Sequence, residues 1–202
     1  MWYSDKHKAL YIHPIKTAGT SIKHSLSQAT HVQWSQTFKS HANYRTLNRV
    51  FKMNNLFVFS SVRNPWDWEV SHYHWILQQH LISGDGQANQ SYKTVSQYLD
   101  FNEYVIKCLN ERVLNFNDQT YFLQNGDEEI NLNYLIRYEN LEKALKECCN
   151  NFLSKVEMDN LILANRQGTE RNRDYRSYYT EESKKIVAKL RQRDIDNFHY
   201  TF

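Results

Sequence analysis

The segment Lys16-Thr17-Ala18-Gly19-Thr20-Ser21 places an ammonium group, a glycine and two adjacent hydroxyls between an apolar run, Ala9-Leu10-Tyr11-Ile12, and a pair of apolar residues four apart, Ile22 and Leu26. The run reads as a buried strand feeding a turn, and the four-residue spacing as a helix from about Thr20 onward. A loop that opens a helix in this way suits an anion, because unpaired backbone N–H groups and the helix dipole both face the incoming charge. Gly19 would let backbone approach a ligand, Thr20 and Ser21 would donate from hydroxyls, and Lys16 would bring a mobile cation. The same residues also read as an ordinary capped turn. They are not a Walker A loop, G-x-x-x-x-G-K-[ST], since the lysine precedes the glycine. No zinc spacing of histidines with cysteines is present among the nine histidines, and no metal is expected.

A second segment shows the same strand-to-helix pattern. Leu56-Phe57-Val58-Phe59-Ser60-Ser61-Val62 is too continuously apolar for a half-exposed edge, which predicts a central strand of a parallel sheet. It ends at Arg63, where Asn64-Pro65 supplies a helix cap and a first-turn proline, with Asp67 and Glu69 close behind. The helix is traced through Val70, Tyr73 or His74 and Leu77 to a turn at Ser83-Gly84-Asp85-Gly86. Further helices are predicted over Val95–Cys108 and Asn140–Phe152, a strand over Leu132–Arg137, and a last helix capped by Thr180 and running through Ile186, Leu190 and Phe198. Alternation of strands and helices implies an α/β fold with a central parallel sheet flanked by helices and ligands at the carboxyl ends of its strands.

At 202 residues, with two prolines and five glycines, the chain reads as a single domain spanning 1–202, without a linker or repeat. Lys and Arg number 25 against 22 Asp and Glu, a small excess that argues against a general nucleic-acid coat or a polybasic membrane binder. Arg166, Arg171, Arg173 and Arg176 cluster in one short stretch, which reads by itself as a solvated loop. Cys108, Cys148 and Cys149 are expected as reduced thiols, the latter two as small core residues. No signal-peptide core or long apolar run is present, so a cytoplasmic protein with no membrane span is expected.

Taken together, His13-Pro14-Ile15-Lys16-Thr17-Ala18-Gly19-Thr20-Ser21 resembles the 5′-phosphosulfate loop of PAPS-dependent sulfotransferases, in particular the carbohydrate family that contains the uronosyl 2-O-sulfotransferases and small bacterial relatives. Arg63-Asn64-Pro65-Trp66-Asp67-Trp68-Glu69-Val70-Ser71 resembles their 3′-phosphate motif, Arg137-Tyr138-Glu139-Asn140-Leu141 their R-[FY]-E-N-L junction, and Tyr175-Arg176-Ser177-Tyr178-Tyr179-Thr180 the segment before their last helix. Two departures are the order His-Pro-Ile-Lys where the family more often has His-Ile-Pro-Lys, and Glu170 and Asn172 where relatives often show serine and histidine.

The resemblance implies a P-loop-like three-layer sandwich and transfer of a sulfonate from PAPS to an acceptor hydroxyl, with a glycan as the expected acceptor, leaving PAP. It assigns Lys16 to the bridging oxygen, backbone N–H groups from Thr17 through Ala18, Gly19, Thr20 and Ser21 to the 5′-phosphate, and Arg63 and Ser71 to the 3′-phosphate. It also implies that the loop from Arg166 to Arg176 is a flap over the nucleotide, with Arg173 and Arg176 as 3′-phosphate or acceptor contacts and Tyr175 among the nucleotide-binding residues. An acceptor hydroxyl needs a positioned base. His41, in Ser40-His41-Ala42, matches the family's histidine between the two phosphate motifs, with His24, His31, His72 and His74 as alternatives. A magnesium-dependent P-loop kinase and a non-enzymatic nucleotide- or RNA-binding module are the competing readings. Acceptor identity and oligomeric state are not legible in the sequence.

Overall fold

The computed structural model describes residues 1–31, 34, 41–82, 90–126, 129–164 and 171–202, with the backbone alone for 79–82. The turn expected at Ser83-Gly84-Asp85-Gly86, and Arg166 and Glu170 of the arginine-rich stretch, lie outside the described residues. In chain order the elements begin with β1 (Trp2–Ser4), β2 (Ala9–Ile12), α1 (Gly19–Thr30), α2 (Tyr44–Asn48), β3 (Phe57–Val62) and α3 (Pro65–Ile82). There follow α4 (Gln90–Val95), α5 (Phe101–Glu103, continued by a π turn over Tyr104–Leu109), α6 (Gln119–Leu123) and β4 (Tyr134–Arg137). Last come α7 (Leu141–Cys149), α8 (Lys155–Asp159), α9 (Glu181–Leu190) and α10 (Gln192–Phe198).

The chain forms two compact units, residues Met1–Arg63 with Gln119–Arg166, and residues Asn64–Asp118 with Gln167–Phe202. The first holds a four-stranded sheet in the order β1-β2-β3-β4, in which β2, β3 and β4 run parallel and β1 is antiparallel to β2. Ala9, Tyr11, Phe59 and Ile136 share one face and pack with Ile22, Leu26 and Ala29 of α1 and Ala144, Leu145, Cys148 and Cys149 of α7. Leu10, Ile12, Val58 and Val62, on the opposite face, are buried as well. A strand covered on both faces reads as an unbroken apolar run, which is why β3 was legible as central. The result is an α/β architecture, a mostly parallel sheet flanked by helices.

β1 escapes a periodicity reading because it is three residues long and is set by a tight turn in which Lys8 takes a left-handed conformation, φ 46°. All three thiols are free and buried, Cys148 and Cys149 within the core as expected.

The second unit is helical. Asn64 starts α3 as its residue type predicts: Oδ1 accepts from the Trp66 N–H at 3.1 Å, and the amide nitrogen donates to the Thr201 carbonyl at 2.8 Å. Val70, Tyr73 and Ile76 of α3 pack with Val95, Phe101, Tyr104, Cys108 and Val187. The helix expected over Val95–Cys108 is instead two, because Asp100 is a cap: its side chain accepts from the Glu103 N–H and starts a new turn. The last helix carries the predicted Thr180 cap, as a reciprocal box with Ser183, but breaks at Arg191 into α9 and α10. Arg191 is buried and committed elsewhere in this unit, its Nε 2.6 Å from the buried Glu69 Oε1 and its Nη1 2.8 Å from the carbonyl of half-buried Phe116.

Candidate active site

Parallel pairing in register places Ile12 beside Ser60 and Val62 beside Arg137, so β2, β3 and β4 end at the same edge of the sheet. The residues that follow these ends are the Lys16 loop, Arg63 and Tyr138. The Lys16 loop and Arg63 were expected as site residues from different stretches of sequence, Tyr138 stood only within a junction motif, and the sheet gathers all three.

The loop enters α1 through two non-glycine residues in the left-handed region, Lys16 at φ 61° and Ala18 at φ 69°. Such conformations cost about 1–2 kcal/mol each and persist only where surrounding bonds hold them. Those bonds are present. The Ser61 hydroxyl lies 2.7 Å from the Thr17 carbonyl and 2.9 Å from Thr17 Oγ1, which itself donates to the Pro14 carbonyl at 2.9 Å. Since the one Ser61 proton faces Thr17, the Tyr11 hydroxyl 2.5 Å away is the donor to Ser61, and burial pushes the Tyr11 pKa up, keeping that proton in place. The Thr17 hydroxyl is therefore fully committed inside the fold, and only its backbone N–H stays a candidate for a ligand.

Gly19 has a role that spacing did not predict. A β-carbon there would overlap the His13 ring, so the glycine makes room for a histidine. His13 is 8 % exposed, and its Nδ1 is buried without a hydrogen-bond partner. Burial, with the nearby His41, holds its pKa well below the ordinary range, so the ring is neutral.

His41 packs on His13, ring centroids 4.6 Å apart, and its Nδ1 is 2.9 Å from the His13 carbonyl. A carbonyl can only accept, so His41 carries its proton on Nδ1 and leaves the Nε2 lone pair to take a proton from elsewhere. Burial lowers the His41 pKa, the bond to the His13 carbonyl raises it, and burial wins. Of the alternatives, His24 is half-buried on α1 and His31 is exposed at its end. His72 and His74 lie on α3 in the second unit, His72 against Trp68, Trp75 and Phe116, and His74 edge-on to Tyr178.

Arg63 is 4 % exposed and held on three sides. Its Nη1 donates to the Lys16 carbonyl at 3.3 Å, its guanidinium carbon lies 4.0 Å from the Tyr138 ring centroid, and its backbone is bound by Gln119. The Gln119 carboxamide accepts from the Arg63 N–H and donates to the Arg63 carbonyl, both at 2.8 Å, as a neighbouring strand would. Sequence reasoning missed Gln119 entirely, because a lone glutamine carries no local signal. The Ser60-Ser61 pair inside an apolar strand was a usable signal for the network behind the loop.

At the start of α1, Ala18 offers no side-chain cap and the first turn has no acidic residue. Among the described residues, no three His, Cys, Asp or Glu side chains converge in a way that could hold a metal ion.

The other predicted residues lie in the second unit, each in its own setting. Ser71 is buried on α3, Tyr175 is buried, and Arg173 and Arg176 are exposed. The Arg176 guanidinium sits 4.6 Å from the Tyr175 ring. Arg171 is bound to Asp67 at 2.6 Å with both side chains nearly buried, a structural ion pair in a stretch that composition reads as solvated.

The chain as a whole resembles a protein of known structure. It matches the crystal structure of mouse sulfotransferase SULT7A1 complexed with PAP over 97 % of its own length and 87 % of that chain, with a TM-score of 0.53 and 12 % sequence identity. The chain has the sulfotransferase fold. No protein-family model matches the sequence, and no curated protein matches it either. The sulfotransferase fold accounts for the mostly parallel sheet with its P-loop-like turn after β2. Among the described residues, no helix is long and apolar enough to cross a membrane.

Proposed function

We propose that the chain transfers a sulfonate group from PAPS to an acceptor hydroxyl, with a carbohydrate as the acceptor class. The observation that carries this reading is the meeting of Arg63 with the Lys16 loop at the carboxyl ends of adjacent strands. Two cationic side chains at a helix start with no acid in its first turn fit a nucleotide bearing anionic groups at both ends. PAPS supplies a sulfonate already activated by its bond to phosphate.

Backbone N–H groups from Thr17 to Ser21 bind the 5′-phosphate, and Arg63 binds the 3′-phosphate through its planar fork. His41 Nε2 accepts the acceptor's hydroxyl proton as that oxygen bonds to sulfur, while Lys16 offsets the charge left on the phosphate oxygen as the sulfur–oxygen bond breaks. PAP is the leaving product. Ser71, Arg173, Tyr175 and Arg176 stand in this reading as further nucleotide contacts, carried by the resemblance. Placement of the protein in the cytoplasm and a single functional domain over 1–202 belong to the same proposal.

The test is a thermal-shift series with PAP, AMP and ATP in excess chelator, followed by transfer of labelled sulfonate from PAPS to a panel of glycans and simple alcohols. Selective stabilisation by PAP and metal-independent transfer are expected. A preference for ATP with magnesium, or no preference for the 3′-phosphate, overturns the reading.

A further inference from the structure

The Arg63 side chain reaches its position through two residues far away in sequence. Gln119 fixes its backbone through a pair of hydrogen bonds, and the Tyr138 ring lies against its guanidinium at 4.0 Å. A guanidinium on an aromatic face keeps its N–H donors in the plane parallel to the ring and aims them edgewise. One of those donors is taken by the Lys16 carbonyl at 3.3 Å. The ring thus limits where the guanidinium can lie, and the backbone pair decides where along the strand end the side chain starts.

We propose that Tyr138 is a positioning residue that sets nucleotide specificity, by orienting Arg63 for a 3′-phosphate group; this rests on the nucleotide reading above. The aromatic face is the requirement, and the Tyr138 hydroxyl is not part of it. Tyr138 opens the short helical turn after β4, Tyr138–Asn140, so its ring is carried by the strand next to the one that carries Arg63. A loss of the ring therefore changes how Arg63 is aimed, and because Arg63 also bonds the Lys16 carbonyl, any effect passed to the loop falls on PAP and AMP alike and cancels in their ratio.

The experiment measures PAP and AMP affinity by calorimetry in the wild-type chain, Tyr138→Phe and Tyr138→Leu, with melting curves for each. AMP lacks the 3′-phosphate, so the PAP-to-AMP affinity ratio isolates the Arg63 end. Tyr138→Phe is expected to keep the ratio, and Tyr138→Leu to reduce it by roughly 3- to 30-fold, the range of a cation–π contact. Should Tyr138→Leu fail to fold, Tyr138→Met keeps similar volume without the π face and carries the same comparison. An unchanged ratio in the Leu or Met variant, or equal weakening of both nucleotides, overturns the proposal while leaving the nucleotide reading intact. A wild-type chain that does not prefer PAP over AMP overturns both.

Discussion

Arg63 Nη1 donates to the carbonyl of Lys16 at 3.3 Å, tying the side chain that ends one strand to the backbone of the loop that follows its neighbour. Lys16 holds a left-handed conformation at that point, so the bond supports a strained turn as well as bringing the Arg63 side chain to the Lys16 backbone. In the proposed reaction each end of the nucleotide is bound by a residue that also shapes the other end's site.

Separate variants should divide those tasks. Arg63→Lys retains the charge and loses the fork, and is expected to weaken PAP by about 1.5–3 kcal/mol, roughly 10- to 150-fold in Kd. Lys16→Ala should lower kcat sharply and change the Kd for PAP only a few-fold, because the charge it offsets develops during the transfer. Calorimetry with PAP alongside single-turnover transfer reads both quantities. Equal losses in both variants on both measures would reject the division.

His41 predicts a pH profile. Its pKa is lowered below the ordinary 6.5, so the base form persists into mildly acidic solution and the acidic limb of kcat/KM should inflect below that value. His41→Ala should cost about 10²–10⁴-fold in rate and abolish the inflection. Stability follows the same sign: below 6.5 the unfolded chain binds more protons than the folded one, so the wild type loses stability as pH falls, and His41→Ala should lose less. Melting curves at several pH values check this.

Gly19→Ala is expected to destabilise by about 1–3 kcal/mol, since the new methyl overlaps the His13 ring. His13→Ala in the same chain should recover much of that loss by vacating the space. A double-mutant cycle measured by chemical denaturation gives the coupling; additive effects would show that the overlap is relieved by other means.

In the second unit, Arg191→Met removes the partner of fully buried Glu69 and should cost about 3–5 kcal/mol. Burial already raises the Glu69 pKa despite the arginine. Without the arginine the carboxyl takes up a proton on folding, so the variant's stability should fall as pH rises above the ordinary carboxylate value of 4.5. Denaturation midpoints across that range read the slope.

The sequence alone determined what is local. The strand Ala9–Ile12, the helix opened at Gly19, the continuous apolar strand before Arg63, the Asn64 start of α3 and the Thr180 cap are each set by residues within a turn or two of one another. Lys16, Arg63 and His41 were candidates on the same footing, from residue type and resemblance. Tertiary structure decided what these residues touch. That His13 fills the place beside Gly19, that His41 is left with Nε2 to accept a proton, and that Gln119 and Tyr138 hold Arg63 all depend on contacts between segments far apart in the chain. Such contacts are fixed by the register of parallel strands and by the loops that join them, and neither leaves a periodic trace in the sequence.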